Sequence, residues 1–138
     1  MSNLVRLSLS LEKSLYDKLE RMVRRSGYKN RSEYVRDLIR DQLVEDEWNE
    51  NQPVVGTITI IYNHHKRMLS ETLTDVQHQH HDAILATTHV HLDAEMCAES
   101  IIVKASPAHV REITDELRQQ KGVLHAALSI GSTGQQLT

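Results

Sequence analysis

The sequence predicts an α+β chain in two parts, a short β-α-α segment followed by a β-α-β-β-α-β body. Three observations carry this reading. Apolar residues alternate with polar ones near the N-terminus and then recur at helical spacing as far as Leu43. An acidic stretch containing a proline, "EDEWNENQPVV" at 45–55, shows no apolar period. Beyond it, β-branched runs interleave with two stretches of helical period. The boundaries expected from these breaks are 1–47 for the first domain, 48–53 for a linker, 54–131 for the body and 132–138 for a polar tail.

In "LVRLSLSLE" the side chains of Val5, Leu7, Leu9 and Leu11 fall on one face of a strand, and those of Arg6, Ser8 and Ser10 on the other. From Leu11 the period lengthens, and Leu15, Leu19, Met22 and Val23 form a helical stripe that ends near Gly27, a residue suited to the left-handed turn after a helix. A second helix opens at Asn30 with Glu33 in capping-box spacing, and carries Val35, Leu38, Ile39 and Leu43 on one face. A segment of this size cannot bury two helical stripes or satisfy a lone strand by itself, so it is expected to dimerise through the strand. Two such strands make a ribbon that fits the DNA major groove, with Arg6, Ser8 and Ser10 facing the base edges. Lys29, Asn30, Arg31 and Ser32, at the start of the second helix, are the expected phosphate contacts. The charge agrees. Residues 1–40 hold ten Lys/Arg against five Asp/Glu, a balance of +5, whereas the remainder holds six against fourteen, a balance of −8.

In the body, strands are expected at 54–64, 83–93, 98–105 and from 123, with helices at 66–81 and from Pro107, where Ser106 is the expected N-cap and Gly122 the terminator. This order is that of the split ferredoxin-like fold, to which ACT-type regulatory domains belong. Residues from about 131, "GSTGQQLT", read as a frayed tail. With no long apolar tract and no signal-peptide pattern, the expected location is cytoplasmic, without a membrane partner.

All nine histidines lie at or after position 64, and five of them fall within "QHQHHDAILATTHVHLDAEMC" (77–97) beside the single cysteine. His89 and His91, two apart on a strand, leave the same face roughly 7 Å apart and can grip one ion. A short connection would return Cys97 beside them, giving three ligands for a late first-row metal. The fourth is open among His78, His80 and His81. Spacing does not choose between tetrahedral zinc and square-planar nickel or copper. His64, His65, His109 and His125 are expected to be ordinary surface or junction residues. Two other functions fit less well. A Cys97–His nucleophile pair lacks an orienting third residue and leaves the basic arm unexplained, and a body that binds a small organic effector leaves the imidazole cluster unexplained.

"VRLSLSLEKSLYDKLE" with "GYKNRSEYVRDLIR" resembles the ribbon-helix-helix class of DNA-binding domains, and the histidine-rich stretch within a βαββαβ body is similar to the metal-binding domain of the nickel-responsive transcriptional regulator family. The resemblance spans essentially the whole chain. It implies a non-enzymatic regulator, a repressor by expectation, that binds one Ni(II) per subunit and takes no organic substrate. Its ligands would be His78, His89, His91 and Cys97, with His78 coming from a neighbouring subunit to a square-planar ion. It further implies a homotetramer built as a dimer of dimers and an operator of palindromic half-sites. Lys66 and Arg67 would touch DNA phosphate, and Glu33 and Asp37 would hold a second, hard cation such as K+ between the domains. Gln79 departs from an unbroken four-histidine run, which leaves the ligands intact and removes a donor from any auxiliary site there.

Overall fold

The computed structural model describes residues 3–138. The chain divides into two compact units, with the division between Arg40 and Asp41.

In the first unit, helix α1 spans Lys13–Ser26 and ends on Gly27, whose φ of 80° is the left-handed turn that glycine adopts without strain. Helix α2 spans Arg31–Asn49, starting in this unit and continuing across the division into the second. It is capped as expected, the Asn30 side-chain oxygen accepting from the Glu33 amide at 3.0 Å. Residues 4–12, expected as a strand, have no regular structure and pair with no strand among the described residues. Leu4, Val5, Leu7 and Leu9 are 83%, 89%, 77% and 65% exposed. The apolar face of the expected ribbon is therefore bare in the single chain.

The second unit is a four-stranded antiparallel sheet with two helices. Strand β1 (Val54–Asn63) leads to α3 (Leu69–Gln79), β2 (Ile84–His91), β3 (Met96–Ala105), α4 (Pro107–Gln119) and β4 (Val123–Ile130). The spatial order β2-β3-β1-β4, with antiparallel pairs throughout, is that of the split ferredoxin-like arrangement. Ser106 caps α4 by accepting from the His109 amide, and Pro107 stands at its start. One face of the sheet is buried: Val54, Ile58, Ile60 and Tyr62 of β1 alternate inward, as do Cys97, Glu99, Ile101 and Val103 of β3. Leu73, Val110, Ile113 and Leu117 of the helices complete this core.

Two expectations at the ends of the body change. The segment 48–53 is helical through Asn49, and Trp48 is buried in the core of the second unit, where its indole N–H donates to the Gly131 carbonyl at 2.8 Å. Gly131, expected at the start of a frayed tail, is also held by its own amide donating to the Val55 carbonyl at 2.8 Å. A single tryptophan among acidic residues shows no periodicity, so its inward direction could not be read from the sequence. Gly56 makes room for it, because a Cβ there would stand 3.1 Å from the indole ring and 3.0 Å from both Leu128 and Val110.

Replacing Trp48 with Ala removes a large buried side chain and the bond to Gly131. It should lower the stability of the chain by about 3–5 kcal/mol in urea denaturation.

Candidate metal centre

The site is set by strand register. Cys97 on β3 lies opposite Tyr62 of β1 and opposite His91 of β2, while Glu99, two residues on, lies opposite Ile60 and His89. Period two then places Cys97, Glu99, His89, His91 and Tyr62 on the same face of the sheet. β2 is an edge strand and exposed along most of its length, so the imidazoles are open to solvent while the thiol is fully buried.

Two turns bring the ends of these strands together. Asp93 accepts from the amides of Glu95 and Met96, both at 2.8 Å, and the Leu92 amide donates to the Met96 carbonyl, which returns β3 tightly beside β2. The same two amides hold the Asp93 carboxyl below the usual carboxylate range. The turn after β1 is tied to this one. The His64 amide donates to the Glu95 carbonyl at 2.9 Å, and a ring nitrogen of His65 lies 2.9 Å from the Ala94 carbonyl.

His64 consequently joins the cluster. Its Nδ1 lies 3.2 Å from the Cys97 Sγ, the His91 Nδ1 lies 3.3 Å from the same sulfur, and the three donor atoms are all within 4.8 Å of one another. Of the expected set, His91 and Cys97 are thus brought together, and His64, expected to be an ordinary residue, stands with them. No local pattern in the sequence marks His64, because it reaches the thiol only through the register that sets Tyr62, two residues before it, opposite Cys97. Burial pushes the Cys97 thiol above its usual range, with the charges of Glu99 and Asp93 adding to the effect. Lost hydration pushes His64 below its usual range, and the neighbouring imidazoles of His65, His91 and His89 reinforce the shift.

His89 is beside this group, its ring centre 5.0 Å from that of His91. Its Nδ1 lies 3.2 Å from a Glu99 carboxylate oxygen and 3.2 Å from the Tyr62 hydroxyl. Tyr62 donates its hydroxyl proton to Glu99 at 2.7 Å, and Gln77 donates its amide to the other carboxylate oxygen at 2.9 Å. Glu99 is only 8% exposed, and these donors satisfy its buried charge. The carboxylate in turn holds the His89 proton on Nδ1, which leaves the Nε2 lone pair outward. Histidines that ligate metals are commonly oriented by such a carboxylate. Nothing in the sequence marks Gln77, Glu99 and Tyr62 for this site, because Gln77 and Tyr62 are not usual metal ligands and Glu99 joins His89 only through strand register.

The remaining candidates stand apart. His78 is exposed on the last turn of α3, His80 is half-buried as the residue that closes that helix, His81 is exposed just after it, and all three lie outside the cluster. Arg6, Ser8, Ser10 and Lys29 are exposed. Arg31 lies 3.3 Å from Glu20 and over the Tyr16 ring, and Asn30 is engaged as the cap of α2. The Ser32 carbonyl accepts from Arg36. Lys66 and Arg67, expected at a helix start, lie exposed in the turn before α3. Glu33 is exposed and Asp37 pairs with Arg40 at 3.3 Å.

Residues 55–130 match the family described as the NikR C-terminal nickel-binding domain, and residues 5–46 match the ribbon-helix-helix proteins of the copG family. Relatives named for nickel-responsive regulation include a protein of Solibacter usitatus, 46% identical over 138 residues with 99% of each chain covered. Another, from Syntrophus aciditrophicus, is 44% identical over 135 residues and 98% of each chain. Among solved structures, an uncharacterised protein from Thermotoga maritima superposes on 57% of this chain and 98% of its own, with a TM-score of 0.52 at 15% identity, a likeness of fold alone.

The burial of the only cysteine gives a direct check. At neutral pH a disulfide reagent should modify Cys97 at least about tenfold more slowly in the folded chain than in denaturant, because only the thiolate reacts and it must be reached.

Proposed function

Because this chain belongs to the family of nickel-responsive regulators, we propose that it is a repressor whose operator binding depends on Ni(II) held by His89, His91 and Cys97, with His78 supplied by a second subunit. The chain is a nickel-dependent transcriptional regulator and not an enzyme. It binds DNA through its ribbon-helix-helix arm and works as an oligomer. The observation that carries the proposal is the register that sets His91 and His89 opposite Cys97 and Glu99 on paired strands.

The donor set fits the metal. A thiolate with imidazoles suits a borderline-soft late first-row ion, and the Glu99 carboxylate keeps the His89 Nε2 unprotonated for it. When bound, the ion supplies one point to which side chains of β2 and β3 and of a second chain attach. His91 and His89 sit on the edge strand, so a ligand from another copy has open access to them. His78, exposed at the end of α3, is suited to be that ligand in a second copy. A homotetramer with one ion per subunit follows, arranged as a dimer of dimers.

The arm supplies the reading of DNA. Val5, Leu7 and Leu9, bare in the single chain, are buried when two copies pair their N-terminal segments as a ribbon. Arg6, Ser8 and Ser10 then face the bases of palindromic half-sites. Lys29, Asn30, Arg31 and Ser32, with Lys66 and Arg67 from the body, meet phosphate. Glu33 and Asp37 would hold a hard cation such as K+ when the protein is on DNA, a role for which Asp37 must release Arg40. A hundredfold gain in operator affinity needs only about 2.7 kcal/mol of coupling between metal and DNA sites.

A second ligand set is favoured by one observation. His64 already stands 3.2 Å from the thiol, and could fill the fourth corner within one chain. The two sets separate on substitution. His78→Ala should abolish the square-planar nickel spectrum and the tetramer's metal dependence, whereas His64→Ala should retain both; the reverse result assigns the corner to His64. Cys97→Ala should remove the thiolate-to-nickel charge-transfer band and metal-dependent operator binding together, and retention of metal-dependent binding would overturn the proposal.

On a duplex selected from a random library, Arg6→Ala should cost about 1–3 kcal/mol of specific binding and leave non-specific binding nearly unchanged. Equal loss on both would make Arg6 a phosphate contact. Mobility-shift titrations distinguish the two.

A further inference from the structure

A second group of imidazoles lies away from the cysteine. His80 closes the C-terminus of α3, and His109 and Glu116 stand seven residues apart, about two turns, on α4. The His80 Nδ1 lies 3.0 Å from the His109 Nε2, and the His80 Nε2 lies 2.9 Å from a Glu116 carboxylate oxygen. The His80 side chain is 13% exposed and that of Glu116 35%.

We propose that His80 and His109 form a second binding site for a late first-row divalent cation, with Glu116 as the residue that orients His80. Two features point to an ion. The first is the spacing. Nitrogens about 2.0–2.1 Å from a common ion, at the angles of square or tetrahedral coordination, lie about 2.9–3.4 Å apart. The observed 3.0 Å is already within that span, so an ion set to one side of the N–N line needs only a turn of the two rings toward it and the loss of the shared proton from the His109 Nε2, without movement of either helix. The second is the carboxylate. Glu116 accepts from the Nε2 side of His80, which fixes the proton there and turns the Nδ1 lone pair toward His109, the arrangement by which carboxylates prepare histidine ligands. Glu116 lies on the far side of the His80 ring from His109 and is therefore a positioning residue and not a ligand.

Two imidazoles with water in the remaining positions make a weaker site than one that includes a thiolate, and it fills after the cysteine centre. Both ligands belong to elements of one body, α3 and α4, so the site needs no second chain. It also lies next to His78 in sequence. An ion there fixes the last turn of α3, the turn that presents His78.

The test is zinc(II) bound by the full chain in equilibrium dialysis, read by atomic emission at rising free zinc. Wild type should bind one more zinc per chain than His109→Ala. His125→Ala, which removes an exposed imidazole outside the group, should match wild type. Glu116→Gln should keep the second ion but weaken it about 10- to 100-fold. His109→Gln, which keeps a polar side chain at the same helix position, serves as a second variant should His109→Ala fold poorly. The Cys97 charge-transfer band with nickel should be unchanged in all of these, so failure here is distinct from failure of the cysteine centre. Equal zinc in wild type and in folded His109→Ala and His109→Gln overturns the proposal, as does a loss in His125→Ala equal to theirs.

Discussion

The pairing of β3 with two neighbours at once is the constraint on which the metal centre depends. Cys97 faces Tyr62 across one ladder and His91 across the other. A slip of one residue in either ladder would turn the thiol to the opposite face of the sheet and leave the imidazoles without it. The register is protected by burial. Ile101 and Val103 lie on the same face of β3 as Cys97 and are fully buried, as are Ile58, Ile60 and Tyr62 on that face of β1. The hydrophobic core and the ligand set are thus written into one alternation, and a change in one disturbs the other.

Within that frame, Glu99 turns an exposed histidine into a prepared ligand. A buried carboxylate is costly unless its oxygens are filled with donors. Tyr62 and Gln77 fill them from β1 and α3, and His89 completes the set from β2. Three elements therefore meet at one charge. The tautomer of His89 is a consequence of this meeting, and the thiol, whose proton is held more tightly because of burial and the same negative charge, would lose that proton to solvent when a cation beside it stabilises the thiolate.

The first unit stands in a different relation to its surroundings. Its expected inner face, Val5, Leu7 and Leu9, lies bare, and its backbone from residue 3 to 12 pairs with no strand among the described residues. The second unit closes its core on one face of the sheet, with Trp48 of α2 part of it and bonded to Gly131 beyond β4. The sheet of the second unit also leaves apolar surface bare, since Val90 and Ile102, which alternate with its inward residues, are 49% and 38% exposed.

The order of elements was legible throughout the body, because burial on one side leaves period two in a strand and period near 3.6 in a helix. Gly27, Asn30, Ser106 and Pro107 marked their helix ends by local backbone chemistry alone. His91 and Cys97 could be paired from spacing along one hairpin. Trp48 could not be placed, since one aromatic residue carries no period. His64, Tyr62 and Gln77 reach the centre from β1 and α3, and the union of His80 with His109 and Glu116 joins two helices. Local sequence thus determined which segments fold and which faces they bury. The neighbours of each donor were decided only by tertiary structure, because register and helix packing are set by the whole core and leave no local trace in the residues they bring together.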